Sequence, residues 1–129
     1  MKARDIAILP LTPLADHTGL EGNFILATGG IVTSATATLP LGVILEGFTT
    51  KQKDSVGLPN FGGTVKVKLS AAPGAVVFGS YLILDGTTLG AVKLDPGTGT
   101  ARIQVARALE AGAANELIEA YLVDPAILA

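Results

Sequence analysis

Val65-Lys66-Val67-Lys68-Leu69 alternates apolar and charged residues without a break and is followed by a stop at Pro73. Residues two apart lie on the same side of a β-strand, so this stretch has one apolar side and one wet side. Its two lysines also suit a sheet edge, where charge discourages pairing with another chain. The same grammar extends in both directions, with short runs rich in Val, Ile, Leu and Thr set between Gly and Pro residues. Upstream, Phe24-Ile25-Leu26 ends at Gly29-Gly30, Ile31-Val32-Thr33 resumes, and Ala35 to Leu39 leads to Pro40. Gly42 to Glu46 follows, with Val43 and Leu45 on one face and Ile44 on the other. Downstream, Val76-Val77-Phe78 precedes a turn at Gly79-Ser80, and Tyr81 to Leu84 runs into Asp85-Gly86. Asp-Gly between apolar runs is a hairpin signal because both residues tolerate positive φ. Asp95-Pro96-Gly97 makes a further turn, after which come Ile103, Val105 and a last run from Leu117 to Val123. Many short strands with frequent turns predict an all-β fold, a small barrel or sandwich.

Arg107 to Tyr121 is rich in Ala, Leu and Glu, which favour helix, but a helix there would carry Gly112 and Asn115 in its interior. An internal similarity favours two strands and a turn instead. Gly22-Asn23-Phe24-Ile25-Leu26 matches Gly79-Ser80-Tyr81-Leu82-Ile83-Leu84, and Leu41 to Gly47 matches Val105 to Gly112. Lys66-Val67-Lys68-Leu69 matches Glu119-Ala120-Tyr121-Leu122, each closing at a proline. The order is the same in both halves. The expected organisation is an extended N-terminal arm, residues 1–17, followed by a single β-domain over 18–129 with pseudo-repeats at about 18–74 and 75–129. The first copy spends Gly47 to Gly63 on a long loop where the second has a short turn.

In a chain of 129 residues with only 16% charged side chains and 49% hydrophobic ones, apolar surface must remain exposed. Another copy of the chain, or a partner, would cover it. A net charge of -2 and scattered lysines and arginines do not suit a phosphate-binding stripe, so no nucleic acid is expected as a partner. No run approaches the ~20 apolar residues of a membrane-spanning helix. Ile6-Ala7-Ile8-Leu9 follows Lys2 and Arg4, but Pro10 and Pro13 interrupt it too early for a secretory segment, and it reads as a structural arm. The absence of Cys excludes disulfides and thiolate sites.

Few residues suggest chemistry. His17, the one histidine, adjoins Asp16, yet neighbours in a strand point to opposite faces, so Asp16-His17-Thr18-Gly19 is expected to be a surface turn. Ser55 with Lys51 or Lys53 could form a Ser-Lys dyad, but loop composition accounts for all three. Glu46 and Glu110, at matched positions, could pair for acid-base work; strand-end capping with backbone or lysine partners is the simpler expectation. Gly29-Gly30, Gly62-Gly63 and Gly97-Gly99 lack the Lys and Ser/Thr of a phosphate loop. No enzyme activity, metal or cofactor is expected.

Ala106-Arg107-Ala108-Leu109-Glu110-Ala111-Gly112-Ala113-Ala114-Asn115-Glu116, followed by an alternating final strand, resembles a family of tailed-phage head decoration or capsid cement proteins. The upstream hairpin of that family resembles Tyr81 to Gly90, and the likeness runs from about Thr18 onward. Arg107 stands where the family usually has Val, and Gly47 to Gly63 exceeds a minimal hairpin. The resemblance implies a β-rich homotrimer on the outer surface of the virion, bound to the major capsid protein and stabilising the shell. The expected contact residues are Ile6, Ile8, Leu9 and Leu11 in the arm and Phe48, Lys51, Lys53 and Phe61 in the long loop. The arm suits strand addition to another subunit or packing on the capsid. The two phenylalanines suit anchoring on the chain's own barrel or on a neighbour. A non-catalytic binding module, adhesin-like or carbohydrate-binding, is the rival expectation; the absence of Trp counts against a sugar site.

Overall fold

The computed structural model describes residues 8–59 and 63–129. They form nine strands and no helix among the described residues: β1 (Ile8–Leu11), β2 (Phe24–Ile25), β3 (Gly42–Glu46), β4 (Asp54–Gly57), β5 (Val65–Lys68), β6 (Tyr81–Leu84), β7 (Val92–Leu94), β8 (Arg102–Ala108) and β9 (Leu117–Leu128). Two sheets result, a small one in the order β1-β4-β3-β2 and a large one in the order β5-β9-β8-β6-β7. All strand pairings in both sheets are antiparallel. The large sheet curls into a half-barrel whose edge strands meet at one end, where Leu69 bridges Val92 and the Ser70 N–H donates to the Val92 carbonyl at 2.9 Å.

The alternation in β5 is the one its sequence predicts. Val65, Val67 and Leu69 are buried in the main core, while Lys66 is exposed and Lys68 half-buried on the outside. Leu82, Leu84, Ile103, Val105, Ile118 and Ala120 complete that core from the other strands of the half-barrel. Phe24 and Val43 of the small sheet enter the same cluster, so the sheets share one interior. On the other face of the small sheet, Ile25, Ile44 and Val56 form a second, smaller core. Arg107 to Tyr121 folds as the end of β8, a turn and the start of β9; Asn115 takes positive φ in that turn, which a helix could not accommodate.

Three sequence expectations change. Gly47 to Gly63 is not one loop, because Asp54–Gly57 pairs on both sides, with β1 and β3. Ile31-Val32-Thr33 and Val76-Val77-Phe78 supply isolated bridges rather than strands, at Ile31 with Ile25 and Val76 with Gly112, and Ala35 to Leu39 forms neither strand nor bridge. The β6–β7 hairpin exists, but Asp85-Gly86 does not close it as a two-residue turn. The Asp85 carboxylate instead accepts the Thr87 N–H at 2.7 Å, and the chain continues to Gly90 before it takes positive φ. The matched segments occupy β2 and β6, β3 and β8, and β5 and β9. β2 pairs with β3 and β6 with β8, while β5 and β9 pair with each other at Lys66 opposite Glu119.

The two sheets interlock at Gly22. Its N–H donates to the Ile44 carbonyl at 2.9 Å and its carbonyl accepts the Lys68 N–H at 3.0 Å. Its φ is +88°, and a Cβ at this position would meet Leu117 Cδ2 at 2.5 Å and the Lys68 nitrogen at 2.9 Å, so only glycine fits. Gly97 also has positive φ, at +84°, but faces open space. Gly97→Ala is expected to cost about 1 to 2 kcal/mol for the left-handed backbone alone. Gly22→Ala adds crowding and should cost roughly 2 to 5 kcal/mol. Urea melts of the two variants measure the difference, which reads out the junction between the sheets.

A second consequence concerns acid. Burial alone would raise the Asp95 carboxyl, but hydrogen bonds from the Gly97 N–H, Gln104 and Arg102, with the Arg102 charge, hold it below the usual carboxylate range. A depressed folded-state value contributes stability that is present above the unfolded value, near pH 4, and is lost as pH falls through the lower folded one. Asp95→Asn should therefore flatten the acid limb of the stability curve, measured by urea melts between about pH 5 and pH 2.

Candidate interface

The small sheet brings most of the expected contact residues to one edge. Ile8, Leu9, Pro10 and Leu11 lie opposite Gly57, Val56, Ser55 and Asp54. Residues 8–11 are therefore not a free arm: they are the edge strand of the chain's own sheet, and the other side of β1 has no strand partner among the described residues. Pro10 suits such an edge because it lacks an N–H to present. Leu11 packs against the second core, whereas Ile8 is 46% exposed. Since Leu11 pairs with Asp54, the turn that precedes β4 ends beside this edge and carries exposed Lys51 and Lys53. Phe48 is half-buried at the start of the same turn. Ile6 and Phe61 lie outside the described residues.

Beneath this edge the sequence reading of His17 is overturned. His17 is 2% exposed and Asp54 fully buried, with His17 Nδ1 and Asp54 Oδ2 2.5 Å apart. The other Asp54 oxygen accepts the Phe48 N–H at 2.9 Å, and the His17 N–H donates to the Phe48 carbonyl at 2.9 Å. A buried carboxylate needs such partners, since each lone pair left empty away from water is costly. Gly47 completes the knot, for a Cβ there would collide with the His17 carbonyl. The surface part of the expected turn is Asp16, exposed, whose carboxyl is held below the usual range by hydrogen bonds from Thr18. No local pattern announces the His17–Asp54 pair, because its members are 37 residues apart.

Glu110 caps its strand end as expected. Its carboxylate accepts the Glu119 N–H at 2.6 Å and lies 3.8 Å from Lys66 Nζ. Glu46 lies opposite Ser55 in the β3–β4 pair. Among the described residues no cluster of three or more His, Asp or Glu side chains is placed to hold a metal ion.

A second surface lies on the outer face of the half-barrel, where the sequence reading names no contact residue. Tyr81, Arg107 and Tyr121 stand side by side across β6, β8 and β9. The Arg107 guanidinium lies 4.9 Å from the centre of the Tyr81 ring, donates from Nε to the Gly79 carbonyl at 3.1 Å, and reaches the Tyr121 hydroxyl at 3.4 Å. Arg107 of β8 thus lies on the outer face of the sheet and not in the core. No pattern in the sequence announces this cluster, because Tyr81 stands opposite Arg107 only through the pairing of β6 with β8. A groove of about 410 Å³ lies farther along the sheet, lined by Pro73, Ile83, Lys93 and Leu94 among others. Arg102 also lines it, but its charge is already taken by Asp95 at 2.6 Å.

Neither the models of known protein families nor the curated proteins contain a match to this chain.

Asp54→Ala leaves buried His17 and the Phe48 N–H without their acceptor and is expected to cost about 3 to 5 kcal/mol. Trypsin should then cut after Lys51 and Lys53 faster than in the parent. A cost below about 1 kcal/mol, the size of an ordinary surface change, would detach this knot from the stability of the fold.

Proposed function

We propose that this chain is a structural virion protein that binds the outer surface of a tailed-phage head as a homotrimer and stabilises the shell. The observation that carries the proposal is the open edge of β1, with exposed Ile8, set beside the lysine-bearing turn at Lys51 and Lys53. An unpaired sheet edge gives main-chain hydrogen bonds to an added strand, and flanking lysines select an acidic partner. The resemblance of Ala106 to Glu116 supports the same assignment, since that segment forms the end of β8 and a small-residue turn that leads into β9 in a β-rich fold. Cementing requires no catalysis: each trimer bridges neighbouring shell subunits, and repeated weak contacts act together across the lattice. No nucleic acid or membrane enters this mechanism. The rival, a non-catalytic binding module of adhesin-like or carbohydrate-binding type, draws on the exposed aromatic rings of Phe78 and Tyr81.

Light scattering across a concentration series is expected to give three times the 13.0 kDa chain mass. Co-sedimentation with empty tailed-phage heads should retain the chain, and Lys51→Glu with Lys53→Glu should release it while the mass stays the same. A monomer that ignores heads and binds immobilised glycans would favour the rival.

A further inference from the structure

Among the described residues the two most exposed large apolar side chains are Phe78 at 73% and Leu14 at 67%. They belong to different halves of the molecule. Phe78 lies in the turn that enters β6 of the large sheet, whereas the Leu14 N–H is bonded to the Gly29 carbonyl on the small-sheet side at 3.0 Å. Each stands close to an ionised side chain, and the two signs are opposite. Arg107 is bonded to the carbonyl of Gly79, next to Phe78, and Asp16 follows Leu14 by two residues. Among the described residues Lys66 pairs with Glu110 and Glu119 and Arg102 with Asp95, and Asp54 is bonded to His17. Neither Arg107 nor Asp16 has an oppositely charged partner in that set.

Both surfaces are also held still before any contact. Arg107 is fixed by Tyr81, Tyr121 and the Gly79 carbonyl, and the Phe78 turn by the bonds from the Val77 N–H to Ser80 and from the Gly79 N–H to the Ala108 carbonyl. Nη2 of Arg107 has no protein acceptor among the described residues. Leu14 to Asp16 is pinned at one end by Gly29 and at the other by the His17 N–H on the Phe48 carbonyl. Rigid surfaces lose little freedom on binding, and an arginine flanked by aromatic rings is a common centre of a strong protein contact.

From this complementarity we propose that a second copy of this chain seats its Leu14–Asp16 segment on the Phe78–Arg107 surface of the first, with the Asp16 carboxylate on the open edge of the Arg107 guanidinium. The two patches differ, so the contact is head-to-tail, and such contacts close into a ring when the rotation between copies permits. The inference rests on the self-assembly part of the function proposed above and not on the shell. Charge-assisted Arg–carboxylate hydrogen bonds beside a covered apolar pair give the contact both direction and strength.

The test is light scattering of the full chain across a concentration series for the parent, Arg107→Asp, Asp16→Arg and the swapped double variant, with thermal melts as a check on folding. Each single reversal should weaken association by about tenfold or more, and the double variant should recover most of the loss. Phe78→Ser, which removes no buried group, should also weaken association. A parent that is monomeric at every concentration would overturn the proposal. So would single reversals that leave the mass unchanged, or a double variant no better than the singles. Co-sedimentation with heads is scored separately, so the shell-binding reading can fail or survive independently.

Discussion

The structure depends on β9 being paired along both sides. Its first four residues, Leu117 to Ala120, bond to β5, and β8 lies along the other side from Ala120 to Leu128. A strand held at two edges over different stretches cannot lie in a flat ribbon, and irregular register at Gln104–Ala106 and at Leu82–Ile83 takes up the bend. The half-barrel closes at Leu69 and Val92 as a result. Ile118 and Ala120 stand beside Val67 and Val65 in register, and together they line one interior with Leu82 and Leu84. Phe24 and Val43 of the small sheet cover the same interior.

The small sheet is attached to this frame through a few tight contacts rather than through long strand pairing. Gly22 bonds to both Ile44 and Lys68, and Phe24 enters the main core from β2. The rest of the small sheet carries its own minor core and, on its far side, the His17–Asp54 knot. The buried ionisable pair connects the residues that follow β1 with the first residue of β4. The edge proposed to meet the shell is thus braced from within, and its lysines occupy a turn of settled shape.

The outer face of the half-barrel follows a different logic. Its strands show Tyr81, Arg107 and Tyr121 to solvent, and Lys66 lies 3.4 Å from Glu119 nearby. The lysine's charge is balanced within the chain, while the arginine is held by the Tyr81 ring, the Tyr121 hydroxyl and the Gly79 carbonyl, with no carboxylate paired to it among the described residues. Low overall charge concentrates the meaning of each unbalanced group: in a more highly charged protein, Arg107 and Asp16 would each have many candidate partners. The same low charge leaves Phe78 and Leu14 exposed, so apolar and electrostatic complementarity coincide at two places on one chain.

Much of the fold was legible in local sequence, and most of the candidate site was not. Val65 to Leu69 declares a half-buried strand because side chains alternate with a period of two, whatever lies beside them. Gly112 and Asn115 argue against a helix from Arg107 to Tyr121, and the turn they belong to holds Asn115 in a left-handed backbone. Asp54-Ser55-Val56-Gly57 carries no such pattern; it is a strand only because β1 and β3 flank it and satisfy its backbone groups. Asp85-Gly86 shows the limit of a local rule, since the Asp85 carboxylate, accepting the Thr87 backbone N–H, replaced the expected two-residue turn. His17 looks like a surface residue beside Asp16 and Thr18, and only the packing of segments 37 residues apart buries it against Asp54. Composition and periodicity, being local, determined the class of fold and the excess of apolar surface. Which polar groups are buried together, and which charges remain open, depends on contacts distant in sequence, so only the tertiary structure could decide them.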